Sequence, residues 1–370
     1  MITLNRPYRI STKVVAPADT LYDRKITWLY SSREGLNMIY QHLYKERGSL
    51  CVAVSPMTCF VALYPIVQNG HSIVFVDIDE TTLNMDVDKL LVSNHIDVVQ
   101  VIHLAGNPMP MDRVQKWAKK NNVVVVEDCA QALGAIYDNK PVGTFGDYAV
   151  YSAVKNLYTP MGGILISKEV LPLINTMPTS KMIDIYKSIK WWLEKHTNAN
   201  KLNIFNCIYS CLLNLSNKNE AKGKKIHFLK PKQKALISEV LGLQQQIQAH
   251  RDETVNKLLS LIDREKYAIQ QEVQLGVSNR NRIMLVAKKR QAIDIILDLR
   301  ECGIAANNLT QSYVCPYQNH VFKDAVLGKY YTQNLEVYER ILPRIVAIPS
   351  SPALTNEEIK YIVNCVNQFG

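Results

Sequence analysis

The chain has 370 residues, an apolar fraction of 47% and a net charge of +10. That length exceeds one ordinary core and calls for two domains, and the composition is that of a folded globular protein. With no run of 18 apolar residues, no Cys-x-x-Cys pair and no zinc-finger or RNP-type aromatic motif, the sequence disfavours a spanning helix, a metal or disulfide framework and a nucleic-acid module. The charge excess is local, crowding Lys218, Lys222, Lys224, Lys225, Lys230, Lys232 and Lys234, and reads first as a solvated face. Residues 1–23 are mixed and charged, unlike a signal peptide, and eight scattered cysteines suit a reducing cytoplasm.

Ser31-Ser32-Arg33-Glu34 precedes Leu36, Ile39, Tyr40 and Leu43 at helical spacing, which predicts a helix capped by Ser31 or Ser32. Short apolar runs then alternate with helical patterns. Strands are expected over 50–54, 72–76, 98–103 and 123–127, and helices over 59–68 and 111–121. Continuous apolar strands separated by helices imply an α/β fold, a mostly parallel sheet covered on both faces. In such sheets ligands bind beyond the carboxyl ends of the strands, where Thr58, His103 and Asp128 fall. A further strand is expected over 164–167.

Residues 171–230 change character. They are helical in pattern, aromatic and basic, with Trp191-Trp192 and an apolar face of Ile185, Ile189, Trp192 and Leu193. A basic amphipathic helix with tryptophan can lie in a membrane interface, so membrane-surface contact through 183–230 is one reading. A subunit contact or a cover over the substrate cleft is the favoured one. One long helix is expected over 235–261, a strand and helix over 281–286 and 291–301, and a final helix over 356–369 with Thr355 as N-cap. The domain boundary falls in that long helix. Residues 1–235 form a large domain carrying the helical basic insert at about 171–230, and residues 236–370 form a smaller one.

The most informative residue is Lys155. A buried-type strand ends in Glu127-Asp128, and the lysine follows 27 positions after the acid. A pyridoxal phosphate enzyme needs that pair: the amine holds the cofactor as a Schiff base and the carboxylate keeps its pyridine nitrogen protonated. Taken alone, Lys155 reads as a surface lysine in a turn and Asp128 as a helix N-cap.

Several motifs in order resemble the sugar aminotransferases of the DegT/StrS type. They are Glu127-Asp128-Cys129-Ala130-Gln131-Ala132-Leu133-Gly134-Ala135, Val142-Gly143-Thr144-Phe145-Gly146-Asp147, and Lys155-Asn156-Leu157 with Gly162-Gly163. Phe75-Val76-Asp77-Ile78-Asp79, His103-Leu104-Ala105-Gly106 and Leu354-Thr355-Asn356-Glu357-Glu358 extend the similarity to most of the chain. The resemblance implies the fold type I architecture of pyridoxal phosphate aminotransferases, a large mostly parallel sheet domain with a smaller C-terminal α/β domain. It implies Lys155 as the cofactor-bearing base, Asp128 against the pyridine nitrogen and Gln131 near the ring hydroxyl. It implies Ser32, Arg33 and Ser152 around the phosphate, with Thr58 a weaker candidate. In isolation each serine reads equally as a helix cap, and His103 reads as shaping the pocket.

Three positions differ from the usual pattern. Ser152 and Lys155 are three apart where many members have five. Cys59 stands where many place an aromatic ring on the pyridine. Pro231-Lys232-Gln233-Lys234 replaces a segment whose asparagine reaches the neighbouring subunit's phosphate, and a lysine of this run is a candidate replacement. The resemblance further implies a homodimer that moves an amino group from a donor, glutamate in most of the family, to a keto group of a nucleotide-linked deoxysugar. Two alternatives stand beside it. The family's sugar dehydratases use the same cofactor but carry histidine at the lysine position, and a non-catalytic scaffold or regulatory relative keeps the fold.

Overall fold

Alternating side chains in the strand Cys51–Val54 divide between two cores. Val52 and Val54 join one apolar cluster, Ala53 the other. In Val124–Cys129, Val124 and Val126 face the first cluster and Val125 the second. Both faces of this sheet are therefore covered, as near-continuous Val and Ile runs require. The computed structural model describes residues 20–93, 95–172, 226–308 and 334–370, together with 176–177, 189 and 330–332. The basic insert expected over 171–230, with Trp191 and Trp192, lies almost wholly outside the described residues.

The large sheet has nine strands in the order Thr20–Leu21, Arg24–Leu29, Gly163–Ser167, Tyr148–Ser152, Val124–Cys129, Val98–Ile102, Cys51–Val54, Ser72–Phe75 and Tyr330–Thr332. From Tyr148–Ser152 onward every neighbouring pair is parallel. Gly163–Ser167 runs antiparallel to both of its neighbours. The helices Ser32–Arg47, Phe60–Gln68 and Met111–Asn121 connect and cover these strands. Met111, Val114, Trp117 and Ala118 form the buried stripe of the last of these.

A second, four-stranded antiparallel sheet orders Tyr267–Ile269, Ile283–Ala287, Ile345–Ile348 and Asn307–Asn308. It packs with helices Gln244–Leu261, Ala292–Glu301 and Asn356–Phe369 around a third core. The single helix expected over 235–261 is two helices, Pro231–Leu241 and Gln244–Leu261. Pro231 starts the first at its favoured first position, and the break falls at Gly242-Leu243, where glycine is a poor helix former.

Chain order and core do not coincide near the C-terminus. Leu335, Tyr338, Ile341 and Leu342 pack into the first core of the large sheet. Buried Asp77 fastens that segment by accepting the Val337 and Tyr338 N–H groups at 3.0 and 2.9 Å, and it pairs with Lys89 at 2.7 Å.

Candidate functional site

Parallel register sets Asp128 beside Ile102 on one side and Val150 on the other, at the carboxyl end of its strand. The carboxyl is buried and accepts the Ala130 N–H at 3.0 Å. Burial raises its pKa, and the charge of Lys155, the Ala130 N–H and His103 pull the other way. The neighbouring strand, Tyr148–Ser152, delivers the lysine. It ends in the short turn Ala153–Asn156, where Ser152 Oγ accepts the Lys155 N–H at 3.4 Å. Lys155 and Asp128 line one pocket.

The pocket's other wall is the N-terminus of Ser32–Arg47. Glu34 builds this turn. Its Oε2 accepts the Ser31 N–H at 2.7 Å, and its Oε1 accepts the His227 N–H at 3.1 Å and meets His227 Nδ1 at 2.7 Å. Gly163 allows the close approach, because a Cβ there would stand 2.1 Å from the Ser31 carbonyl carbon. The outcome is a helix N-terminus with outward N–H groups, a ready anion site. Ser32 and Arg33 both line the pocket, with Arg33 exposed.

Gln131 also lines it, its Oε1 accepting the Ala105 N–H at 3.0 Å. Ser152 is buried beneath the lysine turn and is absent from the pocket's lining. Its oxygen takes the Lys155 N–H, which leaves the hydroxyl proton for an acceptor. Thr58 lies apart: its hydroxyl donates to Ser55 O at 2.6 Å and stabilises the 55–58 turn. Cys59 does line the pocket, and the remaining lining is aliphatic, with Leu36, Val61, Ala62, Ile102 and Ala130. Among the described residues no aromatic ring lines it.

Glu127 was not singled out by sequence reasoning. It is fully buried and accepts the N–H groups of Gly143, Phe145 and Gly146 at 2.7, 2.8 and 2.5 Å. His103 Nδ1 accepts the Met109 N–H at 3.0 Å, so its Nε2 carries the proton toward Glu127 at 3.2 Å. His103 is thus a structural hydrogen-bonding residue. Cys129 lies close to both, and the three offer ligand-type atoms within 4.8 Å of one another. They form a hydrogen-bonded core and not a metal centre: the Glu127 oxygens are already occupied by N–H donors, and burial with the Glu127 and Asp128 charges keeps Cys129 a thiol.

A helix N-terminus, a buried acid and a lysine converge at the strand ends of an open α/β sheet, the place where such sheets bind their ligands. A model of the DegT/DnrJ/EryC1/StrS aminotransferase family matches residues 28–172 of the chain. It is 34% identical over 122 residues to the GDP-perosamine synthase of Escherichia coli O157:H7, covering 32% of this chain and 34% of that protein. It is 25% identical to the dTDP-3-amino-3,6-dideoxy-alpha-D-galactopyranose transaminase of Aneurinibacillus thermoaerophilus, covering 86% of this chain and 78% of that one. The chain spans about a third, 34% and 31%, of the length of the first two relatives it matches. Among solved structures, the E. coli GDP-4-keto-6-deoxy-D-mannose-3-dehydratase with bound hydrated PLP superposes with a TM-score of 0.70 at 18% identity. That match covers 92% of this chain and 87% of the other. At that identity the likeness establishes the fold.

Proposed function

We propose that the protein is a pyridoxal 5'-phosphate-dependent aminotransferase. In this reading it moves an amino group, with glutamate as donor, to a keto group of a nucleotide-linked deoxysugar for polysaccharide, lipopolysaccharide or related glycan synthesis. The observation that carries the reading is the convergence of Asp128, Lys155 and the Ser32 helix N-terminus on one pocket. The donor set fits the cofactor. Outward N–H groups, the Ser32 hydroxyl and the Arg33 guanidinium suit a phosphate dianion. The Ser152 hydroxyl is a further donor from the lysine side, and Thr58, its proton spent on Ser55, shapes the turn. Buried Asp128 suits a pyridinium, and Gln131 suits a ring hydroxyl. When bound, the cofactor supplies a ring that accepts the electron pair released from the donor's Cα–H bond. Lys155 anchors it, then takes the Cα proton and returns a proton to the carbon that receives nitrogen.

The dehydratase reading has a specific support, since a dehydratase superposes on the chain and others are relatives at 30% identity over 122 residues. Lys155 weighs against it, because the family's dehydratases carry histidine there. We place the protein in the cytoplasm as a homodimer. Free thiols at Cys51, Cys59, Cys129, Cys302 and Cys365 support the first. Among the described residues no helix is long and apolar enough to cross a membrane.

The test is spectroscopic. Protein incubated with pyridoxal phosphate should turn yellow, and borohydride should fix the cofactor on the peptide containing Lys155. Cofactor-loaded protein given glutamate should lose the visible band, and nucleotide-linked keto-sugars should restore it. Protein that stays colourless favours the scaffold reading. A band that glutamate leaves unchanged sinks the glutamate assignment.

A further inference from the structure

Arg251 is the largest fully buried side chain described, 1% exposed; its charge acts on the Asp252 carboxylate, but among the described residues no carboxylate comes within ion-pair distance of it. Its guanidinium donates only to neutral oxygens. Nη1 reaches Gln248 Oε1 and Asn279 O at 3.1 and 3.2 Å. Nη2 reaches Asn156 O and the Tyr158 hydroxyl at 2.9 and 3.1 Å. The cation also lies over the Tyr158 ring, 5.6 Å from its centre. A charge buried this way is a costly choice for stability alone.

Two of those acceptors belong to the turn that follows Lys155. Tyr158 there sits at φ 57°, a left-handed conformation that strains a bulky aromatic residue. The same turn is gripped by two asparagines. Asn281 Nδ2 donates to Lys155 O at 2.8 Å, and Asn279 Nδ2 donates to Asn156 Oδ1 at 3.0 Å. Asn279 is seated on Gly106, where a Cβ would stand 1.7 Å from Asn279 Oδ1. The carbonyl oxygens of Lys155 and Asn156 are both held by side chains from beyond residue 250.

We infer that Arg251, with Asn279 and Asn281, is a positioning device that fixes the backbone of the Lys155 turn and so aims the lysine. This rests on the aminotransferase reading of Lys155. It supplies by tertiary contact the rigidity that a four-residue turn cannot generate by itself.

The test compares Arg251→Met, Arg251→Lys and Tyr158→Phe with the unaltered chain, first without cofactor and then with pyridoxal phosphate. Without cofactor, Arg251→Met should speed amide exchange across residues 153–160 by about tenfold or more, and by more than its fall in melting temperature accounts for, since four buried acceptors lose their donor. With cofactor, it should weaken pyridoxal phosphate binding and cut kcat by about 10- to 100-fold, with the pH midpoint of the visible band displaced. Arg251→Lys should restore part of each effect, and Tyr158→Phe should give a smaller loss in the same direction. Unchanged exchange across 153–160 in both Arg251→Met and Tyr158→Phe overturns the inference. So does a loss of cofactor binding that only follows a fall in melting temperature. If the unaltered chain binds no pyridoxal phosphate, the functional reading fails, while the exchange data still judge the grip on the turn.

Discussion

Asp128 and Lys155 line one pocket from neighbouring strand ends, and the lysine's charge partly offsets the burial that raises the acid's pKa. A carboxyl whose pKa is raised on folding binds its proton more tightly in the native state. Its stabilising contribution is full below the unfolded value, 3.8, and is lost as pH rises through the raised one. Asp128→Asn removes that loss. Protein without cofactor should then melt higher at neutral pH, with a flatter dependence on pH above 3.8, while transamination falls sharply. A variant that melts lower at pH 7 than the parent, with the same pH slope, would contradict this coupling. Lys155→Ala should lose at least about 100-fold in amino transfer through loss of the proton carrier. It should also form no borohydride-reducible link to the protein.

Cys59 is half-buried and lines the same pocket, whereas Cys129 is fully buried with its thiol pKa pushed well up by burial and the neighbouring carboxylates. Alkylation by iodoacetamide, followed by peptide mass spectrometry, should label Cys59 in protein without cofactor and spare Cys129. Pyridoxal phosphate should slow labelling of Cys59 severalfold. Equal labelling with and without the cofactor would place the ring elsewhere. Substitution of Cys59 by phenylalanine should tighten cofactor binding by at most about 1 kcal/mol, the usual worth of one aromatic stacking contact.

Most of the sheet was legible because its central strands are buried on both faces and read as apolar runs. Residues 98–102 and 124–126 contain almost nothing else. Arg24–Leu29 escaped notice because its first three residues are incompletely buried and two of them are charged, so no run or clean alternation appears. Tyr148–Ser152, the strand that delivers the lysine, is not among the expected strands. Ile345–Ile348 is apolar but only four residues long, too short to separate from a loop. At the site, Asp128 and Lys155 were legible as an acid at a strand end and a lysine 27 positions on, and Gln131 through the resemblance alone. Glu127, Arg251 and Asn279 were not. Their roles depend on contacts between segments far apart in the chain, to which single-chain spacing is blind. The signal for Glu127 lay in Gly143-Thr144-Phe145-Gly146, a turn whose consecutive N–H groups need a buried acceptor.

Glu127 closes that turn with three N–H bonds and the His103 proton, all buried except the part-buried Phe145 N–H. Replacing it by alanine leaves several buried donors unsatisfied, and each costs about 1–3 kcal/mol. Glu127→Ala should therefore lower stability by at least about 3 kcal/mol in urea or thermal unfolding. Glu127→Gln keeps one acceptor oxygen and should cost less. A loss below about 1 kcal/mol for the alanine variant would show that the 142–147 turn finds other acceptors.

Gly163 tests the anion end of the pocket without touching a group that bears chemistry. A Cβ at this position would meet Ser31 C, Ser31 O and Ser32 N at 2.1, 2.3 and 2.4 Å. These are backbone atoms, so no rotamer change relieves the clash. The sheet is fixed through the pairing of Gly163 with Ser152 and with Leu29, and the turn at Ser31–Ser32 must move instead. Displacing the helix N-terminus misaims the N–H groups toward the phosphate, while Asp128 and Lys155 keep their strand ends. Gly163→Ala should therefore weaken binding of pyridoxal phosphate by about 10-fold or more, and its binding of pyridoxal, which lacks the phosphate, far less. Titration of the visible band with the two compounds separates these outcomes. Equal weakening of both would mean that the substitution disturbs the lysine turn and not the anion site.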